Sequence, residues 1–380
     1  MVKFSKDEKN LLSLLRGEAI AEESSFEMIK QLANRHAIMP LLGDILWKDQ
    51  DVYRISMRTI SQYYHLLFKT KYYVGLLRES GIETVILKGF PVAQYYPIPQ
   101  LRKSGDIDLL LLNPGDIDRA VEVLEQHGVR RMSTQHANYH VAMISDEQIE
   151  IELHLSMTEE LDSVRMNHKL SKLQGELKNH VVQVEILENS FPVLSPGYQA
   201  FSLLLHMLHH FMRSGFGLKL LLDWTYFWNH GMEKSERKIY RRLIREFGLS
   251  GFSEMISSAC FFELGLDDSS LIGTRVSEET ARQFLKDVLS SHEFGGMEDH
   301  QMVAMRGTRL WDYIREFHHQ MHINYPRAGA VFIIWPVLWI MTYIRFSVNN
   351  HTVRSTSLFK VLKSARERSS YLDEIQLFRR

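Results

Sequence analysis

The stretch Gly105-Asp106-Ile107-Asp108-Leu109-Leu110-Leu111-Leu112 decides the fold. It is a short, strongly apolar run stopped by Asn113-Pro114-Gly115, which predicts a buried β-strand followed by a turn. Side chains alternate along a strand, so Asp106 and Asp108 project from one face and Ile107 from the other. Two carboxylates one pleat apart repel, and desolvation worsens the repulsion. Such a pair at the head of an apolar strand needs a counter-charge, and a divalent cation is one source. Mg²⁺ is commonly held by one or two carboxylates plus water and phosphate oxygens. The competing reading is a solvated strand end whose aspartates merely face water.

Moving outward, Tyr139–Ile144 and Ile149–Leu155 read as a hairpin across Ser145-Asp146-Glu147-Gln148. In its second strand Ile149, Ile151, Leu153 and Leu155 share one face, and Glu150, Glu152 and His154 the other. If that strand lies beside Asp106–Leu112, a third carboxylate joins the first two. Three convergent carboxylates suit a two-metal transfer site, with ions about 3.5–4 Å apart. Upstream, Thr84–Leu87 reads as a strand ending in Lys88-Gly89, and Phe90–Tyr96 as a helical turn or two. The glycine would let backbone amides approach a phosphate, and a helix N-terminus and the Lys88 charge would add to the attraction. Arg102, Lys103 and Ser104 offer further phosphate donors just before the aspartates. Asp116 is expected to cap a helix running to Gly128, and Val181–Leu187 to form a further strand. Residues before about 80 and after about 190 carry helical periodicity. The expected class is α+β: a small mixed-sheet core at 81–190, between helical regions at 1–80 and 191–380.

Leu87-Lys88-Gly89, then Arg102, Asp106-Ile-Asp108-Leu-Leu and Ile151-Glu152-Leu153-His154 together resemble the bacterial uncharacterised nucleotidyltransferase family, within the polymerase-beta-type nucleotidyltransferase superfamily. Phe26–Leu46 resembles the family's N-terminal helices, and His206–Asp223 the helical region after its core. The resemblance implies an enzyme with Mg²⁺-dependent transfer of a nucleoside monophosphate from a nucleoside triphosphate such as ATP, releasing pyrophosphate. It implies Asp106, Asp108 and Glu152 as ligands of two Mg²⁺ ions, with Glu150 a competitor for the third place. Lys88, Gly89, Arg102 and Ser104 would hold the nucleotide's phosphates, and Glu152 or His154 would take the acceptor's proton. Phe90 departs from the superfamily, where Gly or Ser usually follows the first glycine. That departure motivates the alternative of a non-catalytic nucleotide-binding or interaction protein. If the enzyme reading holds, Asp106→Ala and Asp108→Ala should abolish transfer yet leave the fold intact, by relieving like-charge crowding.

The whole chain of 380 residues has 45 Lys+Arg against 46 Asp+Glu, so no global field draws it to nucleic acid. A long nucleic-acid substrate is therefore not expected, and the acceptor would be a small molecule or a protein. A single cysteine, Cys260, excludes an internal disulfide and a multi-thiolate zinc site. The first twenty residues lack the apolar core of a signal peptide, which makes a cytoplasmic address the expectation. His206 and His210 have the i, i+4 spacing that can chelate a metal, but packing or substrate contact is the simpler reading. Arg213, Lys219 and Asp223 read first as helix-surface ion-pairing residues, with closing over the nucleotide or acceptor as the alternative. Ala328–Ile344 is 17 residues without a charge, and 345–380 hold 8 Lys/Arg against 3 Asp/Glu. A buried helix is the leading expectation there, with a membrane-surface helix at 328–345 and a basic tail as its rival.

Overall fold

The computed structural model describes residues 3–20, 25–132, 139–159, 164–213, 215–291 and 332–353, together with Ile314, His318, Met321, His322 and Tyr325. The N-terminal region holds α1 (Lys6–Leu15), α2 (Phe26–Arg35) and the long α3 (Gln50–Glu79). Ser5 and Glu8 form a reciprocal capping box on α1, and the Asp49 side chain accepts from two amides at the start of α3. Between α2 and α3 the chain makes only a 3₁₀ turn, Met39–Asp44.

The core follows as β1 (Thr84–Ile86), α4 (Phe90–Ala93), β2 (Asp106–Leu111), α5 (Ile117–Glu125), β3 (Val129–Arg131), β4 (His140–Ser145) and β5 (Glu150–His154). After α6 (Val164–Glu176) come β6 (Val181–Ile186) and β7 (Asn189–Leu194). The seven strands form one sheet in the order β3-β4-β5-β2-β1-β7-β6. Pairings β2–β5 and β1–β7 are parallel and the rest antiparallel, so the sheet is mixed and the class is α+β. Two strands escaped the sequence reading. β3 is only three residues, and β7 contains Pro192, which argues against an inner strand. Pro192 is tolerated because β7 meets β1 only at Ile86–Val193. Asp116 precedes α5 as expected, yet its side chain makes no cap and accepts from Arg119 instead.

Alternation of the strands builds two cores. Ile86, Ile107, Leu109, Leu111, Ile151 and Leu153 face α3 and α5. Leu87 and Leu110 belong to the larger core on the other side, with α7 (Pro196–Arg213), α8 (Leu218–Asn229), α9 (Lys234–Glu246), α10 (Ser250–Glu263) and α11 (Glu278–Ser290). That core also takes in Leu11 and Ile29, so α1 and α2 pack with the C-terminal helices. The last described helix, α12 (Trp335–Val353), corrects the expectation of burial: Ile340, Tyr343 and Ile344 are exposed, and only Leu338 and Thr342 of its first half are buried. No helix among the described residues is long and apolar enough to cross a membrane. The basic tail from 354 onward lies outside the described residues.

Candidate functional site

β2 and β5 run parallel in a register that sets Asp106 beside Glu150 and Asp108 beside Glu152. The anticipated carboxylate row therefore exists, on the sheet face turned toward α7. Asp108 is buried, 1% exposed, whereas Asp106 and Glu150 are half-buried. The counter-charge comes from the chain itself. Lys88 Nζ lies 3.4 Å from Asp106 Oδ2 and 3.3 Å from Asp108 Oδ1. Burial works against the lysine's charge, but Asp108, Asp106 and Glu152 outweigh it and raise its pKa.

His154 is the second internal cation. Its Nε2 lies 2.9 Å from Asp108 Oδ1 and 3.1 Å from Glu152 Oε2, so one ring nitrogen spans the two strands. Burial opposes protonation, but the bonds to Asp108 and Glu152 prevail and lift the imidazole pKa to about 9. Glu152 moves the opposite way: burial opposes its charge, yet His154 and then Lys88 hold it ionised and lower its pKa. Glu150 has no such support. Burial and the neighbouring carboxylates raise its pKa, the opposite direction to Glu152.

Gly89 takes φ 85 and ψ −133, a conformation essentially confined to glycine, and starts α4. α4 has only four residues, too short to supply the macrodipole expected from a helix N-terminus there. Phe90 turns into the core and packs edge-on against Phe191 at 4.6 Å, so the side chain after Gly89 faces away from solvent. A small pocket lies at this end of the sheet, with Tyr63, Lys88, Gly89, Ser104, Asp106 and Asp108 among its lining.

Arg102 departs from its expected place. Its Nε and Nη2 donate to Asp223 Oδ1 and Oδ2 at 2.7 and 2.6 Å, while Nη1 donates to the Ser104 hydroxyl at 2.7 Å. A guanidinium so engaged, with its side chain 5% exposed, is a brace between the loop before β2 and α8 and is not presented to a phosphate. Asp223 is likewise buried, which corrects the expectation of a helix-surface pair, and Tyr96 donates its hydroxyl to it at 2.7 Å. The Arg213 side chain lies outside the described residues. His206 is held neutral by burial, followed by the charge of Lys88, which puts α7 against the site.

Sequence reasoning overlooked His140, because the turn expected at 145–148 would set it opposite Leu153. The hairpin's register sets His140 directly opposite His154, with the two rings 5.5 Å apart. His140, Glu152 and His154 can each offer a ligand atom, all within 4.8 Å of one another.

For Mg²⁺, which the resemblance implies, the fit rests on Asp108. Its Oδ2 is buried and has no hydrogen-bond partner, the condition of an oxygen left for a cation. With Asp106 alongside and Glu152 ionised, the donor set is all carboxylate oxygen and suits a hard ion.

Residues 22–256 match the sequence profile described as uncharacterised nucleotidyltransferase. The chain belongs to that family. The nucleotidyltransferase match spans the sheet, the carboxylate row, the Arg102–Asp223 brace and α7, and it stops within α10. No curated protein matches the chain. Among solved structures, an antigenic nucleotidyltransferase-like protein from Paracoccidioides brasiliensis is similar over 49% of this chain and 90% of its own, at 12% identity and a TM-score of 0.32.

Proposed function

We infer that this nucleotidyltransferase moves a nucleoside monophosphate from a nucleoside triphosphate to a hydroxyl on a small molecule or protein. The new bond joins the acceptor oxygen to the α-phosphorus, and the α–β phosphoanhydride bond breaks to release pyrophosphate. The observation carrying this reading is the in-register row of Asp106, Asp108 and Glu152, with an unpartnered oxygen on the most buried member. These three side chains would hold Mg²⁺, which when bound offsets phosphate charge and acidifies the acceptor hydroxyl. Lys88, now against Asp106 and Asp108, would donate to phosphate oxygens at the same end of the sheet. Glu152 or His154, beside Asp108 on the neighbouring strand, would accept the hydroxyl proton. Arg102 acts at one remove, fixing the approach to Asp106 through Asp223.

The test is incubation with each α-labelled nucleoside triphosphate, Mg²⁺ and cell extract, following label transfer and pyrophosphate. Asp108→Asn should cut transfer by at least about a hundredfold. Nucleotide binding without pyrophosphate release would support the non-catalytic alternative, and no binding of any of the four would remove both.

A second reading concerns location. Phe332 and Ile333 are 70% and 73% exposed just before α12, which favours contact of the 328–345 segment with a membrane surface. Flotation with anionic vesicles tests it, and a protein that stays at the bottom of the gradient refutes it.

A further inference from the structure

We propose that His140, Glu152 and His154 form a binding site for a divalent transition-metal ion, zinc by ligand type, beside the all-carboxylate place of Asp106 and Asp108. The site is built by sheet register. Glu152 and His154 are two residues apart on β5 and share a face, and His140 stands across from His154 on β4. Their ligand atoms lie within 4.8 Å of one another. Tetrahedral coordination at zinc distances needs about 3.4 Å between ligand atoms, a contraction that side-chain torsions can supply without moving the strands.

A second observation points the same way. His140 Nδ1 is buried with no hydrogen-bond partner, and a buried polar nitrogen left so is costly. Two imidazoles and one carboxylate are a catalytic-type zinc set, with the fourth position left to water or a ligand oxygen. Imidazole nitrogen selects zinc and its neighbours over Mg²⁺, so the two places differ in the ion they prefer. Glu152, with two oxygens, is the one side chain common to both places. The zinc site requires neither nucleotide nor acceptor and does not rest on the transfer reading.

The full-length chain, stripped with chelator, is titrated with Zn²⁺ by calorimetry and with Co²⁺ by visible absorption. The expected result is a single high-affinity equivalent that millimolar Mg²⁺ does not displace. His140→Ala should weaken it at least about a hundredfold, while Asp106→Asn leaves it unchanged. Zinc-edge X-ray absorption of the wild type should show two imidazoles per zinc, a readout independent of how the variants fold. Wild-type affinity in His140→Ala, an all-oxygen shell, or loss of the equivalent on mutating instead His318 and His322, whose ring nitrogens lie 3.2 Å apart, would each overturn the proposal. Zinc uptake without pyrophosphate release would sink the transfer reading alone, and transfer without zinc uptake would sink this one alone.

Discussion

Replacing Asp223 with Ala should be among the most damaging single changes to the core of this protein. The substitution leaves the Arg102 guanidinium without its carboxylate in a place where the two side chains are only 5% and 3% exposed. Two charge-assisted bonds of 2.7 and 2.6 Å disappear, and the Tyr96 hydroxyl loses its 2.7 Å acceptor. Breaking a buried pair from one side costs about 3–5 kcal/mol, because the remaining ion keeps its desolvation penalty. Equilibrium urea unfolding followed by tryptophan fluorescence reads this directly, since Trp224 is the next residue on α8. The double variant Arg102→Met with Asp223→Leu removes both charges together and should return to within about 1–2 kcal/mol of the wild type. Asp223→Asn keeps an acceptor oxygen and should fall between. A loss under about 1 kcal/mol in Asp223→Ala would show that the pair behaves as a solvated surface bridge, and the brace argument would collapse.

Asp106 and Asp108 should separate on stability in chelator. Asp108→Ala strips a buried partner from both Lys88 and His154 and should cost about 3–5 kcal/mol, whereas Asp106→Ala, at a half-exposed site, should cost under about 1 kcal/mol. This revises the expectation that both leave the fold intact: the crowding was already relieved by two internal cations. In metal-free protein, the His154 pKa of about 9 exceeds the unfolded value near 6.5, so its contribution is complete below about 6.5 and is lost as pH rises through 9. That contribution is roughly 3 kcal/mol at most, and denaturation midpoints at pH 6 and pH 10 should differ accordingly in wild type but not in His154→Asn. Gly89→Ala should destabilise by about 1–3 kcal/mol in thermal melts, although a Cβ there would meet no atom within 4 Å, because φ 85 and ψ −133 strain any other residue.

The sequence by itself determined the strands around the aspartates, the facing of Asp106, Asp108, Glu152 and His154, and the helical regions either side. Those readings depend on local period and turn chemistry, which neighbouring residues specify. The His140–His154 pairing was not legible: counting across the expected turn at 145–148 sets His140 opposite Leu153, one residue from the register that the strands adopt. Only the tertiary structure decided that β5 lies parallel to β2, since nothing within either segment selects its neighbour in the sheet. Nor could spacing show that Arg102 is occupied by Asp223, 121 residues away, or that Lys88 and His154 neutralise the carboxylates between strands. Charge is read residue by residue along a chain, but its partner is chosen by packing, and desolvation makes that choice matter.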